Sequence, residues 1–204
     1  MATGLPVVPE RRPHVDTPRR AGGDGVPEVF CGDEQSDVAV DLARWRSLAL
    51  ATLAHEGVRG ACELSVFFVD EESIADLNND HMGKTGSTDV LAFPMDGVEV
   101  MDLQGPGALT RGPARPHPDH DDVPTLLGDV VVCPAVAQRQ APTHAGTLDD
   151  EIALLVVHGI LHVLGYDHDT DDATVRMRER ELAVLTSHHW HGPAPGAFRQ
   201  EHDE

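Results

Sequence analysis

The sequence predicts an α+β domain with a metal-binding helix and loop. Three observations carry this. Short apolar runs of strand character recur at "CELSVFFVD", "TDVLAFP" and "LLGDVVVC". Between and after them lie stretches of helical periodicity, one amphipathic and one apolar on nearly every side. The second of these contains "HGILHVLGYDH", His158 to His168, with three histidines in the spacing H-x3-H-x5-H.

Composition sets the frame. A chain of 204 residues with 40% hydrophobic content suits one domain with tails. The net charge is −20, from 35 Asp and Glu against 15 Lys and Arg, and Lys84 is the sole lysine. Such a charge argues against coating nucleic acid or an anionic membrane by bulk attraction. Cys31, Cys62 and Cys133 are scattered and form no C-x-x-C pair, which fits a reducing compartment. The start, "MATGLPVVPERRPHVDTPRR", lacks the apolar core of a secretory signal. The longest apolar run carries two histidines and is short for a membrane span. A cytoplasmic protein without membrane attachment is the expectation.

In chain order, residues 1–26 are rich in Pro, Gly and Arg and predict a disordered extension. "PEVFCG" predicts a first strand, and "SDVAVDLARWRSLALATLAHEG" an amphipathic helix capped by Ser36. "CELSVFFVD" follows as a strand, "EESIADLNND" as a short helix, and "TDVLAFP" as a strand ended by Pro94. Residues 95–125 read as a long Pro/Gly/Asp loop insertion, in which His117 and His120 are taken as solvated. "LLGDVVVC" is continuously apolar, as a strand buried on both faces would be. Pro134 opens a helix where proline is tolerated. "DDATVRMRERELAVL" predicts a last helix, and residues 186–204 a loose, His-rich, disordered tail.

The informative helix begins at Thr147, with Asp150 three residues on as in a capping box. It ends at Gly165, a residue suited to the turn after a helix. Nine aliphatic residues between Ile152 and Leu164 cover nearly all its sides, so it is buried. His158 and His162 then share one face a turn apart, and buried imidazoles need partners. His168 can fold back past Gly165 as a third nitrogen. Three imidazoles leave one tetrahedral position open, the arrangement of a catalytic zinc. The spacing resembles the metzincin pattern H-E-x-x-H-x-x-G-x-x-H, but Gly159 replaces the catalytic glutamate. Glycine there costs roughly 1 kcal/mol of helix propensity, and close approach of another chain segment or of substrate would offset it. Glu151, two turns earlier, is too far along the helix to act as base. The residues name no general base; the reacting water would be held by the metal ligands.

"HGILHVLGYDH" also matches H-G-x-L-H-x-x-G-Y-D-H, the signature of the YbeY family of ribosomal RNA maturation factors. "LNNDHMGKTGSTDVLAFP" (Leu77–Pro94) and "LLGDVVVCPAVA" (Leu126–Ala137) resemble two further family segments in the family order. The likeness spans about residues 27–185, which form the expected YbeY-like domain. It implies a small mixed sheet packed with helices, and one zinc ion per chain held by His158, His162 and His168. It implies a zinc-dependent endoribonuclease cutting single-stranded RNA, in maturation of the small-subunit ribosomal RNA 3′ end and in ribosome quality control. Its partners would be that RNA and the ribosomal small subunit or proteins associated with it. Gly159 is then no lesion, since the family shares it. Met82 stands where many members place an arginine linked to RNA binding, and neighbouring Lys84 is the substitute contact.

Other residues weigh less. Asp167 and Asp169 flank His168 and either orient ligands or cap the loop. Arg176 and Arg180 share a helix face and either touch phosphate or pair with Glu179 and Glu181. Tyr166 packs beside the metal. His188, His189 and His191 in "SHHWHG" bind metal only incidentally. Two other functions stand beside the nuclease: a metzincin-like zinc peptidase, and a non-catalytic zinc-stabilised module that binds the ribosome.

Overall fold

The computed structural model describes residues 25–95 and 124–200. Most of the expected N-terminal extension and of the 95–125 insertion lies outside those residues. The strands are β1 (Glu28–Asp33), β2 (Cys62–Phe68), β3 (Val90–Pro94) and β4 (Thr125–Val132). The helices are α1 (Leu42–His55), α2 (Glu71–Leu77), α3 (Pro134–Gln140), α4 (Leu148–Val163) and α5 (Asp171–Val184). Single π-helical turns extend α2 over Asn78–Met82 and α5 over Leu185–His189.

The sheet order is β1-β2-β4-β3. β1, β2 and β4 run parallel, and β3 lies antiparallel along the outer side of β4, so the sheet is mixed. β4 shows why its second half runs through consecutive valines. Val130 and Val132 join the main core under α1, α4 and α5, whereas Val131 and Cys133 join a smaller core with Ile74 of α2 and Val136 of α3. Successive side chains of a strand point to opposite faces, so a strand covered on both faces must be apolar at every step. One irregularity breaks the register: Glu63 pairs with Leu126 but Leu64 with Gly128, leaving Leu127 as a bulge. Gly128 adopts φ +148, and a Cβ there would strike the carbonyl oxygen of Phe93.

The helix starts follow short polar side chains. Asp41, Asp70, Thr147 and Thr170 each accept a hydrogen bond from the backbone N–H three residues on. Asp41 caps α1 and not Ser36, because the Gln35 side chain folds residues 33–38 into a turn, bonding Asp33, Asp37 and Val38. The three cysteines are free thiols, and burial raises that of Cys31 to about 11.

The C-terminal segment departs from expectation. Residues 186–200 are not a loose tail. Leu185 and Phe198 are buried, and the Phe198 ring meets Trp190 edge-on at 4.7 Å. Asp150, at the start of α4, accepts from Trp190 Nε1 at 2.6 Å and lies 2.8 Å from His189 Nε2. Burial pushes the Asp150 carboxyl up, but hydrogen bonds from Thr147, Trp190 and His189 outweigh it and hold the group below its ordinary value. The aromatic side chains in this segment supplied what a polar tail lacks, apolar area and donors for a buried carboxylate.

α4 is buried over twelve of its sixteen residues. It crosses the sheet at Gly159, where a Cβ would lie 2.5 Å from Val130 Cγ1 and 3.4 Å from Val90 Cγ2. The glycine therefore lets the helix settle onto β3 and β4. Gly159→Ala should lower stability by about 1–2 kcal/mol in urea unfolding. Overpacking against a stiff buried valine costs about 1–3 kcal/mol and exceeds the gain of about 1 kcal/mol in helix propensity. A more stable variant would show that the sheet yields.

Candidate metal centre

The last turns of α4 carry His158 and His162, and the chain reverses at Gly165 (φ +87) to bring His168 back toward them. One ligand atom from each of the three rings lies within 4.8 Å of the others. His162 Nε2 and His158 Nε2 are 3.1 Å apart. The ring centroids are separated by 4.6 Å for His158–His162, 4.9 Å for His162–His168 and 5.7 Å for His158–His168. The expectation that these three residues converge is met by the geometry.

Each of the first two rings is fixed through its other nitrogen. His158 Nδ1 lies 2.7 Å from Glu181 Oε1, and the Glu181 side chain is 2% exposed. His162 Nδ1 donates to the carbonyl oxygen of Tyr166 at 3.1 Å. With Nδ1 occupied, Nε2 of both rings is left to act as ligand. Burial lowers the His162 pKa to about 4, helped by His158 and His168, so this ring is neutral near pH 7 and offers a lone pair. The site also lies at the C-terminal end of α4, where the helix dipole favours a cation. Donor type, spacing and ring orientation all fit a transition-metal ion held by three imidazoles.

The supporting shell joins three elements. Tyr166 donates its hydroxyl to Glu56 Oε2 at 2.7 Å, and Arg180 holds the same carboxylate through Nε and a terminal nitrogen. Glu56 follows α1, its side chain 1% exposed, so one buried carboxylate binds α1, the loop after α4 and α5. Burial and the Glu56 charge push the Tyr166 hydroxyl up to about 12, which keeps it a hydrogen-bond donor. Tyr166 thus does more than pack. Arg180 pairs with Glu56 and not with Glu179 or Glu181. Asp167 accepts from the backbone N–H of His168 at 2.7 Å, which is the loop-capping role, and Asp169 is exposed. Glu151 is fully buried and turned away from His158. It accepts from the Ala145 N–H at 3.1 Å and faces His144, and burial raises its pKa. Lys84 and Met82 sit on an exposed turn ahead of β3, outside the histidine cluster.

Glu181, which the sequence reading took only as a partner for Arg176 or Arg180, instead stands behind His158. A signal was present. Met177, Glu181 and Val184 are spaced as one helical stripe and all are buried, so the carboxylate stands among core positions.

The family model described as Endoribonuclease YbeY matches residues 30–189. This chain belongs to the YbeY family. A relative from Acidothermus cellulolyticus named Endoribonuclease YbeY is 45% identical over 154 residues, covering 75% of this chain and 84% of its own. A second, from Salinispora tropica and of the same name, is 42% identical over 151 residues, covering 74% and 87%. The solution structure of TM1509 from Thermotoga maritima superposes with a TM-score of 0.46 at 21% identity, covering 82% of this chain and 98% of that one. Among the described residues, no helix is long and apolar enough to cross a membrane.

Glu181→Gln should weaken metal affinity about 10–100-fold in chelator competition, the cost usual for losing a carboxylate behind a metal-bound histidine. His158→Ala, His162→Ala and His168→Ala should each abolish stoichiometric binding. Unchanged zinc content in all three alanine variants would remove the metal assignment.

Proposed function

We propose that this protein is a zinc-dependent endoribonuclease that cuts single-stranded RNA during maturation of small-subunit ribosomal RNA. The observation that carries the reading is the convergence of His158, His162 and His168 with ring nitrogens tied back to Glu181 and Tyr166. Membership of a family whose members are named endoribonucleases supplies the substrate class. Zinc bound there would polarise a phosphoryl oxygen and lower the pKa of water, which makes phosphodiester cleavage feasible without a dedicated carboxylate.

The chain's own part is geometric and electrostatic. The three imidazoles are the ligands, and Glu181 fixes the ring of His158 so that its Nε2 faces the site. The Glu56–Tyr166–Arg180 cluster keeps the loop carrying His168 against α5. Single strands suit such a centre, since a flexible backbone can bend into it and an A-form duplex cannot. Small-subunit ribosomal RNA as the natural substrate, a role in ribosome quality control, contacts with the small subunit or its proteins and a cytoplasmic location belong to the same proposal. The peptidase reading is the weaker one for a specific reason. The Cβ position of Gly159 is filled by Val130, so the helix carries no carboxylate there and has no room for one without moving the sheet.

Purified, zinc-loaded protein should cut single-stranded RNA internally and spare duplex RNA. His162→Ala or chelation should abolish the cutting, and added zinc should rescue only the chelated wild type. Cleavage of casein with RNA intact would favour a peptidase. Co-sedimentation with ribosomal subunits and no cleavage of either would favour a binding module.

Lys84 and the exposed Met82 are proposed as an RNA-contacting turn. Met82→Arg should add one phosphate contact and steepen log K against log[salt] by roughly 0.7 for single strands. An unchanged slope would place the RNA path elsewhere.

A further inference from the structure

A second pair of imidazoles lies away from the three-histidine centre. His55 is the last residue of α1, and His188 lies in the π turn after α5. His55 Nδ1 and His188 Nε2 face each other at 3.3 Å, with the rings at 89° and centroids 5.4 Å apart. Both side chains are partly buried. The packing of residues 185–200 creates this pair, and it separates the histidines of "SHHWHG". His189 is taken by Asp150, and the Nδ1 of His191 faces the Ser187 carbonyl at 3.0 Å. His188 turns its Nε2 to His55 at the end of α1.

We propose that His55 and His188 form a second, weaker site for a borderline divalent transition ion of the zinc, nickel or copper class. Zn–N bonds of about 2.0–2.1 Å at a tetrahedral angle put two ligand nitrogens about 3.3–3.4 Å apart. The pair stands at that separation without rearrangement. It also resembles the His158–His162 pair, whose nitrogens are 3.1 Å apart with near-perpendicular rings. Burial, then His55 and His191, lower the His188 pKa, so its ring is neutral near pH 7 and has a lone pair to give. His55 ends α1, where the helix dipole favours a cation, and the net charge of −20 raises the local cation concentration. Two nitrogens leave the remaining positions to water, so the site is weaker than the three-histidine centre. An ion there bridges α1 and the C-terminal segment. The proposal is independent of the RNA-cleaving reading.

The test titrates full-length protein, preloaded with one zinc per chain, with nickel in equilibrium dialysis. His55→Gln and His188→Gln should each bind one nickel ion fewer than wild type, while the zinc content stays unchanged. Histidines elsewhere add the same background to all three proteins. Melting curves in chelator identify a variant that has lost its fold. In that event the wild type decides by NMR: substoichiometric nickel should broaden the ring signals of His55 and His188 together. Equal nickel uptake by folded wild type and variants, or sharp signals from both rings, would overturn the site and leave a hydrogen-bonded pair.

Discussion

The structure depends on one constraint: α4 is buried, yet besides the exposed Asp149 it carries four buried or half-buried ionisable side chains whose polar atoms need partners. Asp150 takes Thr147, His189 and Trp190. Glu151 takes the Ala145 N–H and faces His144. His158 takes Glu181 and His162 takes the Tyr166 carbonyl. Much of what surrounds the helix follows. The C-terminal segment packs where it does because Asp150 needs donors. α5 carries a buried carboxylate because His158 needs an orienting group.

The same helix shows how position sets the charge state of chemically equal groups. Asp150 and Glu151 are neighbours, but several donors hold the first below its ordinary pKa while burial raises the second. The signs oppose each other. As pH falls through the depressed pKa of Asp150 its contribution to stability is lost. Protonating Glu151 over its raised range relieves a cost. At the other end of the helix His162 stays neutral down to about pH 4, so between its ordinary value of 6.5 and about 4 only the unfolded chain takes up that proton. Metal-free protein loses stability across that window as pH falls.

Much of this was legible in the residues. The alternation of "CELSVFFVD", the valine run of β4 and the Thr147 cap each depend on neighbours within a few positions, and each element appears close to its expected place. The three-histidine cluster was legible for the same reason, since one helical turn and one glycine reversal bring the rings together. Ser36 as a cap failed because Gln35 folds its own turn just before α1. The loose tail failed because composition counts polar residues without showing that Trp190 and Phe198 have a core to enter.

By itself the sequence determined the elements, the burial of α4 and the identity of the three imidazoles, because periodicity, caps and turn chemistry are local. Only the tertiary structure decided that Glu181 orients His158, that Glu56 joins Tyr166 to Arg180, and that His188 faces His55. Those partners lie 23, 110, 124 and 133 positions apart along the chain, and no local pattern encodes such a meeting. It also decided the reason for Gly159. The sequence showed a helix glycine with a cost, and the packing of Val130 against it showed that contact between helix and sheet requires the missing side chain.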